Sequence, residues 1–205
     1  SMGPPEGSDA ALSRQIASLE SAKEETVRQA MLRTYLPTLR EWVGLQSFHV
    51  VYNSAEDGYT RETINSRICL KEGIMLVVFT QDGNVFGSFN RKRVPPSMGA
   101  AAVTNDTKHF VFTLRNPCGV PPTRFFRASA LGPSLSINFG GFKSTSGEDV
   151  LVAVRHCFYL RGVESSISPS FSVAYNDTAH REYFVFTGSA LCRVEALLAL
   201  EWVSN

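Results

Sequence analysis

Residues 74–90 constrain the fold more than any other stretch. Ile74-Met75-Leu76-Val77-Val78-Phe79-Thr80 is apolar up to its last residue. A run that short with no polar face reads as a strand buried on both sides. Gln81-Asp82-Gly83-Asn84 follows, and Asp-Gly between apolar runs is a strong hairpin signal, because glycine supplies the backbone conformations such a turn needs. Val85-Phe86-Gly87-Ser88-Phe89 then returns antiparallel. A strand buried on both faces must be covered above and below, so the rest of the chain has to build layers around this hairpin.

Much of the rest is strand-like and broken by turns. Phe48–Tyr52 is one strand, closed by a turn at Asn53–Gly58 that uses Asp57 and Gly58. Thr60 suits a helix N-cap, Ile64 and Ile68 lie along one helical face, and Gly73 is expected to end that helix. Residues 91–102 read as a loop, with Pro95-Pro96 inside it. His109–Arg115 places Phe110, Phe112 and Leu114 on one face. Further strands are expected at Thr123–Arg127, Leu135–Phe139, Val150–Tyr159, Tyr183–Thr187 and Arg193–Val203, with loops at 144–149 and 165–169. Short strands at regular spacing point to a mainly β, α+β fold: a two-sheet antiparallel sandwich with flanking helices.

The N-terminal part differs. Residues 1–7 are a Pro/Gly-rich tail expected to be disordered. Ser8 to Tyr35 contains neither Pro nor Gly, which predicts one helix over 8–36, capped by Ser8 or Asp9 and stopped at Pro37. Leu12, Ile16 and Leu19 form one apolar stripe. Continued as a heptad it meets Lys23, Thr26 and Ala30, which are poor seam residues, so a short coiled coil over the first half is one reading. Packing along the whole length on the same chain is the other. One domain over 37–205 follows. Ser1-Met2 reads as a protease scar, so the natural chain is expected to extend further.

Charge and motifs narrow the chemistry. The 205 residues carry 20 Lys and Arg against 19 Asp and Glu. A net charge of +1 makes no global electrostatic bid for nucleic acid or anionic membrane. No apolar run reaches the roughly 18 residues a membrane span needs. Cys69, Cys118, Cys157 and Cys192 form no CxxC pair, and a reduced intracellular protein, cytoplasmic by expectation, fits them best. His49, His109, His156 and His180 are isolated, and His156-Cys157, as strand neighbours, would face opposite ways. No nucleotide-binding, zinc-protease or serine-hydrolase motif occurs. No catalytic residue, cofactor site or metal site is assigned. Arg91-Lys92-Arg93 is the one dense basic cluster, and Glu201 beside Trp202 is a carboxylate at the end of an apolar strand that needs a partner or solvent.

The order of these segments resembles the TLDc domain family. Val51–Tyr59 resembles its opening segment; Ile74–Thr80 with Asp82-Gly83-Asn84-Val85-Phe86-Gly87-Ser88-Phe89 resembles its characteristic hairpin. His109–Leu114, Phe139-Gly140-Gly141 and Leu200-Glu201-Trp202 resemble later segments in the same order. The helical preface resembles that of amoebozoan TLDc-like proteins. The chain departs from the pattern at Asp57, where the family carries His. The resemblance implies a two-sheet sandwich, a link to oxidative-stress protection and, in several members, binding to the vacuolar proton-pumping ATPase. It carries over no catalytic residue.

The expectation is therefore a non-enzymatic protein-interaction module. Its candidate surfaces are the helix stripe, the loop with Arg91, Lys92 and Arg93, and the Glu201-Trp202 end. Vacuolar ATPase subunits are the expected partners, with self-association through the helix. Two alternatives remain at this point: a regulator that touches nucleic acid through the basic loop, and a thiol-dependent enzyme.

Overall fold

The structure is a computed structural model that describes residues 7–99, 101–137 and 149–204. The chain divides into two compact units, Ser1–Leu39 and Arg40–Asn205. Helix α1 is Gly7–Val43. It does not stop at Pro37 as expected, because proline removes only one helical hydrogen bond and tertiary contacts can hold the following turn. Trp42 lies 6.0 Å from Phe110 and 5.8 Å from Phe112 between ring centroids, and its carbonyl accepts a 2.7 Å hydrogen bond from Arg124 Nη1. The terminator is Gly44, at φ +76°, whose N–H donates to the Arg40 carbonyl.

The second unit is a two-sheet antiparallel sandwich. Its first sheet uses β1 (Ser47–Asn53), β2 (Ile74–Thr80), β3 (Val85–Asn90), β5 (Phe110–Arg115), β6 (Thr123–Phe126) and β12 (Val194–Val203) in the order β1-β12-β2-β3-β5-β6. Its second uses β4 (Ala101–Thr104), β7 (Pro133–Ile137), β8 (Val150–Val154), β9 (Phe158–Arg161), β10 (Ser165–Ile167) and β11 (Leu191–Cys192) in the order β11-β10-β9-β8-β7-β4. The hairpin is as read: Val77 pairs with Gly87 and Phe79 with Val85. All seven residues of β2 are buried, so this central strand is covered on both faces.

Inward residues of both sheets make one core. Leu76, Val78, Phe86, Val111 and Leu197 meet Leu135, Val152, Phe158 and Leu160. Aromatic edges lock it, with Phe86 5.1 Å from Phe158 and Phe171 4.9 Å from Phe186. Such pairs contribute about 0.5–1.5 kcal/mol each beyond their buried area. At Gly87 the flanking strands of the first sheet leave no room for a side chain: a Cβ there would sit 1.9 Å from the Leu76 carbonyl oxygen and 2.7 Å from Phe112 Cζ.

Five local expectations are corrected. The stretch after Asn53 is a helical turn, α2 (Ser54–Asp57), because Asn53 Oδ1 accepts the Ala55 N–H and Asp57 Oδ2 accepts the Asn53 N–H. Helix α3 (Arg61–Ile68) starts at the Thr60 cap as expected, but ends well before Gly73, with Leu70 at φ +66° carrying the reversal. Residues 150–159 are two strands, because His156 at φ +62° turns the chain between β8 and β9. That places His156 and Cys157 in a turn rather than a strand. Residues 183–187 form a helical turn, α5 (Phe184–Thr187), closed by Gly188 at φ +74°. Residues 165–167 are strand, because β10 pairs with β9 and β11. The unanticipated α4 (Phe171–Ala174) adds Phe171 to the core. The tail at 1–6, residues 138–139 of the expected strand, the 144–148 loop and Phe139-Gly140-Gly141 lie outside the described residues.

Candidate functional site

The basic triplet is built on a buried carboxylate. Asp106 Oδ2 accepts the backbone N–H groups of Arg91 at 2.8 Å and Lys92 at 3.1 Å, together with Asn90 Nδ2 at 3.3 Å. Its other oxygen takes the Lys108 N–H at 3.0 Å. The Val94 N–H donates to the Lys71 carbonyl, and the Leu70 N–H to that of Val94. The loop backbone is thus pinned at both ends while its side chains diverge. Lys92 Nζ donates to the Thr104 carbonyl at 3.3 Å, and Arg93 Nε lies 3.7 Å from Glu72 in an exposed pair worth little. The third, Arg91, is exposed and lines a cleft.

That cleft, about 530 Å³, lies on the outer face of the first sheet. Trp42, Phe89 and Phe126 supply aromatic walls; Arg91, Lys108 and Arg124 supply three cations against the single carboxylate of Glu41. Arg124 is held rigidly, with its guanidinium carbon 4.8 Å over the Phe126 ring and 5.5 Å over that of Phe110. Its 2.7 Å bond goes to the Trp42 carbonyl, which carries no formal charge and leaves the guanidinium uncompensated. Arg91 and Lys108 form no ion pair among the described residues. No sequence motif announces this cleft, since sheet pairing assembles it from residues far apart in the chain.

The other expected surfaces are placed as follows. Leu12, Ile16 and Leu19 are 55%, 48% and 65% exposed on α1. Glu201 Oε2 lies 3.8 Å from Lys71 Nζ. Trp202 is buried, 5.1 Å from Phe48 between ring centroids, and its backbone N–H donates to the Gly73 carbonyl, so its side chain presents no docking face. The structural turns do backbone work: Asp57 accepts the N–H of Asn53, the N-cap of α2, and pairs with Arg67 at 3.1 Å, Gly58 sits at φ +87°, and Gly83, next to Asp82, at φ +82°.

The remaining reactive groups are dispersed. His109 is buried with Nδ1 2.8 Å from the Phe89 carbonyl and Nε2 2.8 Å from the Tyr175 hydroxyl. A carbonyl only accepts, so Nδ1 carries the proton, and the single Tyr175 O–H proton is shared between Nε2 and the Arg155 carbonyl, 3.2 Å from the hydroxyl. Burial holds His109 down at about 4, against smaller upward contributions from its bond to Phe89 and from Asp106. Burial pushes the Cys157 thiol well up and that of Cys192 to about 12. High values keep both protonated and poor as nucleophiles. Among the described residues no three His, Cys, Asp or Glu side chains group as metal ligands, and no helix is long and apolar enough to cross a membrane.

Fold and surface together define a mainly β sandwich with a helical preface and a cation-rimmed aromatic cleft. The TLDc domain family matches residues 23–189, and the chain belongs to that family, which is often linked to oxidative-stress resistance. No curated protein matches the chain.

Proposed function

We propose that the chain is a non-catalytic protein-interaction module, acting in the cytoplasm in the oxidative-stress response or in control of the vacuolar proton pump. The observation that carries this is the family match over 23–189. The surface fits it. The two buried thiols are held in their unreactive form, and the basic triplet is divided, with Lys92 bonded to the Thr104 carbonyl and Arg91 lining a separate cleft. That division speaks against the nucleic-acid reading, which needs a continuous basic stripe. Self-association through Leu12, Ile16 and Leu19 belongs to the same proposal.

The test is co-sedimentation of the purified chain with purified vacuolar ATPase, alongside peroxide survival of source cells lacking the chain. Saturable association or peroxide sensitivity supports the module. The absence of both effects removes it. Salt-sensitive DNA binding lost on replacing Arg91, Lys92 and Arg93 by Ala would put the nucleic-acid reading in its place.

A further inference from the structure

We propose that the cleft between Trp42, Phe89 and Phe126 is a docking site for an acidic peptide segment that carries one bulky apolar side chain. The inference rests on the interaction-module reading and names the chemistry of the partner. Its volume, about 530 Å³, falls in the range of ordinary ligand sites and admits an aromatic or aliphatic side chain with its flanking backbone. The walls supply the apolar contact. Phe126 is 39% exposed, a large apolar surface left uncovered on an edge strand.

Charge complementarity selects the occupant. Three cations and one carboxylate line the cleft on a chain whose overall charge is only +1, and the buried Asp106 carboxylate behind Arg91 and Lys108 is taken up by backbone N–H groups, so the lining itself is cationic. Arg124 is fixed by its bond to the Trp42 carbonyl and by two aromatic faces, and it needs no ordering to meet a carboxylate. Arg91 and Lys108 have their backbones fixed by the Asp106 carboxylate, so their positions are set while their charged ends stay available. A preorganised cation loses less entropy on binding. A nucleic-acid strand fits less well. The cations cluster at one cleft rather than tracking a backbone, and Glu41 stands on its rim.

The experiment uses the purified full chain and labelled hexapeptides made of Asp and Glu around a single Phe. Controls carry Ala in place of the Phe, or Lys in place of the acids; an oligothymidine of ten nucleotides is a third. Binding is read by fluorescence anisotropy and by tryptophan emission, since Trp42 lines the cleft while Trp202 is buried. The expected result is saturable binding of the acidic Phe peptide tighter than about 1 mM. It should be at least tenfold weaker for each control and for the double variant Arg91→Glu, Lys108→Glu. Those two side chains are exposed and their Asp106 contacts are through backbone, so the variant keeps the fold, which circular dichroism verifies. No peptide binding, binding unchanged in the double variant, or tighter binding of the oligonucleotide overturns the proposal. Because the peptides are defined, such a failure removes the cleft alone. Absence of both vacuolar ATPase association and peroxide sensitivity would instead remove the broader reading.

Discussion

Gly87 and His109 show how single side chains decide stability here. Any Cβ at Gly87 overlaps the Leu76 carbonyl, and the neighbour is backbone of the central strand, which cannot step aside. Gly87→Ala is expected to cost about 3–5 kcal/mol or to abolish folding, at or above the roughly 1–3 kcal/mol usual for an overpacked core because the clash is with backbone. Urea unfolding of the variant measures it, and a loss under about 1 kcal/mol would show that the hairpin yields. His109 gives a pH dependence with a definite sign. Its folded value of about 4 lies below the free value of 6.5. Between those values the unfolded chain binds a proton that the folded chain does not, so stability falls as pH drops from 6.5 toward 4 and is unaffected above that window. The loss approaches roughly 3 kcal/mol at the acid end. His109→Gln should flatten the slope of the urea midpoint between pH 7 and pH 4.5; an unchanged slope would assign the acid sensitivity to other groups.

Helix α1 illustrates how an element can override its own local signals. Pro37 is exposed within it, and restoring the missing N–H by Pro37→Ala is expected to raise stability by about 1–2 kcal/mol. Thermal unfolding followed at 222 nm tests this, and a lower midpoint would mean that the proline ring itself is packed. The same contest between local and tertiary signals explains what could be read from the sequence. The β2–β3 hairpin was legible because an unbroken apolar run and Asp82-Gly83 agree with the final pairing. The β8–β9 turn was not, because His156 adopts φ +62° without a Gly or Pro to mark it. Residues 183–187 look like a strand by their aromatic and β-branched composition, yet they fold as α5 because Phe186 fills the core beside Phe125 and Phe171. The basic triplet was visible as a cluster, but its division among Thr104, Glu72 and the cleft was not. That division depends on Asp106 and on residues 42, 124 and 126.

The exposed stripe on α1 leads to a prediction about assembly. Leu12, Ile16 and Leu19 are each about half or more exposed, an arrangement that leaves apolar area for another helix to cover. The magnitude of that gain decides how strong the contact can be. Covering the exposed part of three side chains on each of two copies yields about 1 kcal/mol per side chain, or roughly 6 kcal/mol in all. Association costs at least about 4 kcal/mol in lost translation and rotation. The remainder is small, and Lys23, Thr26 and Ala30 cannot extend the seam. A weak, concentration-dependent dimer is therefore expected, not an obligate one. Sedimentation velocity over a hundredfold range of concentration should show the average mass rising at the top of the range. Leu12→Ser, Ile16→Ser and Leu19→Ser together should hold the chain monomeric with its unfolding midpoint nearly unchanged, since none of the three is buried in the single chain. A tight dimer that survives the triple change would place the interface elsewhere, and a monomer at every concentration would leave the stripe for a different partner.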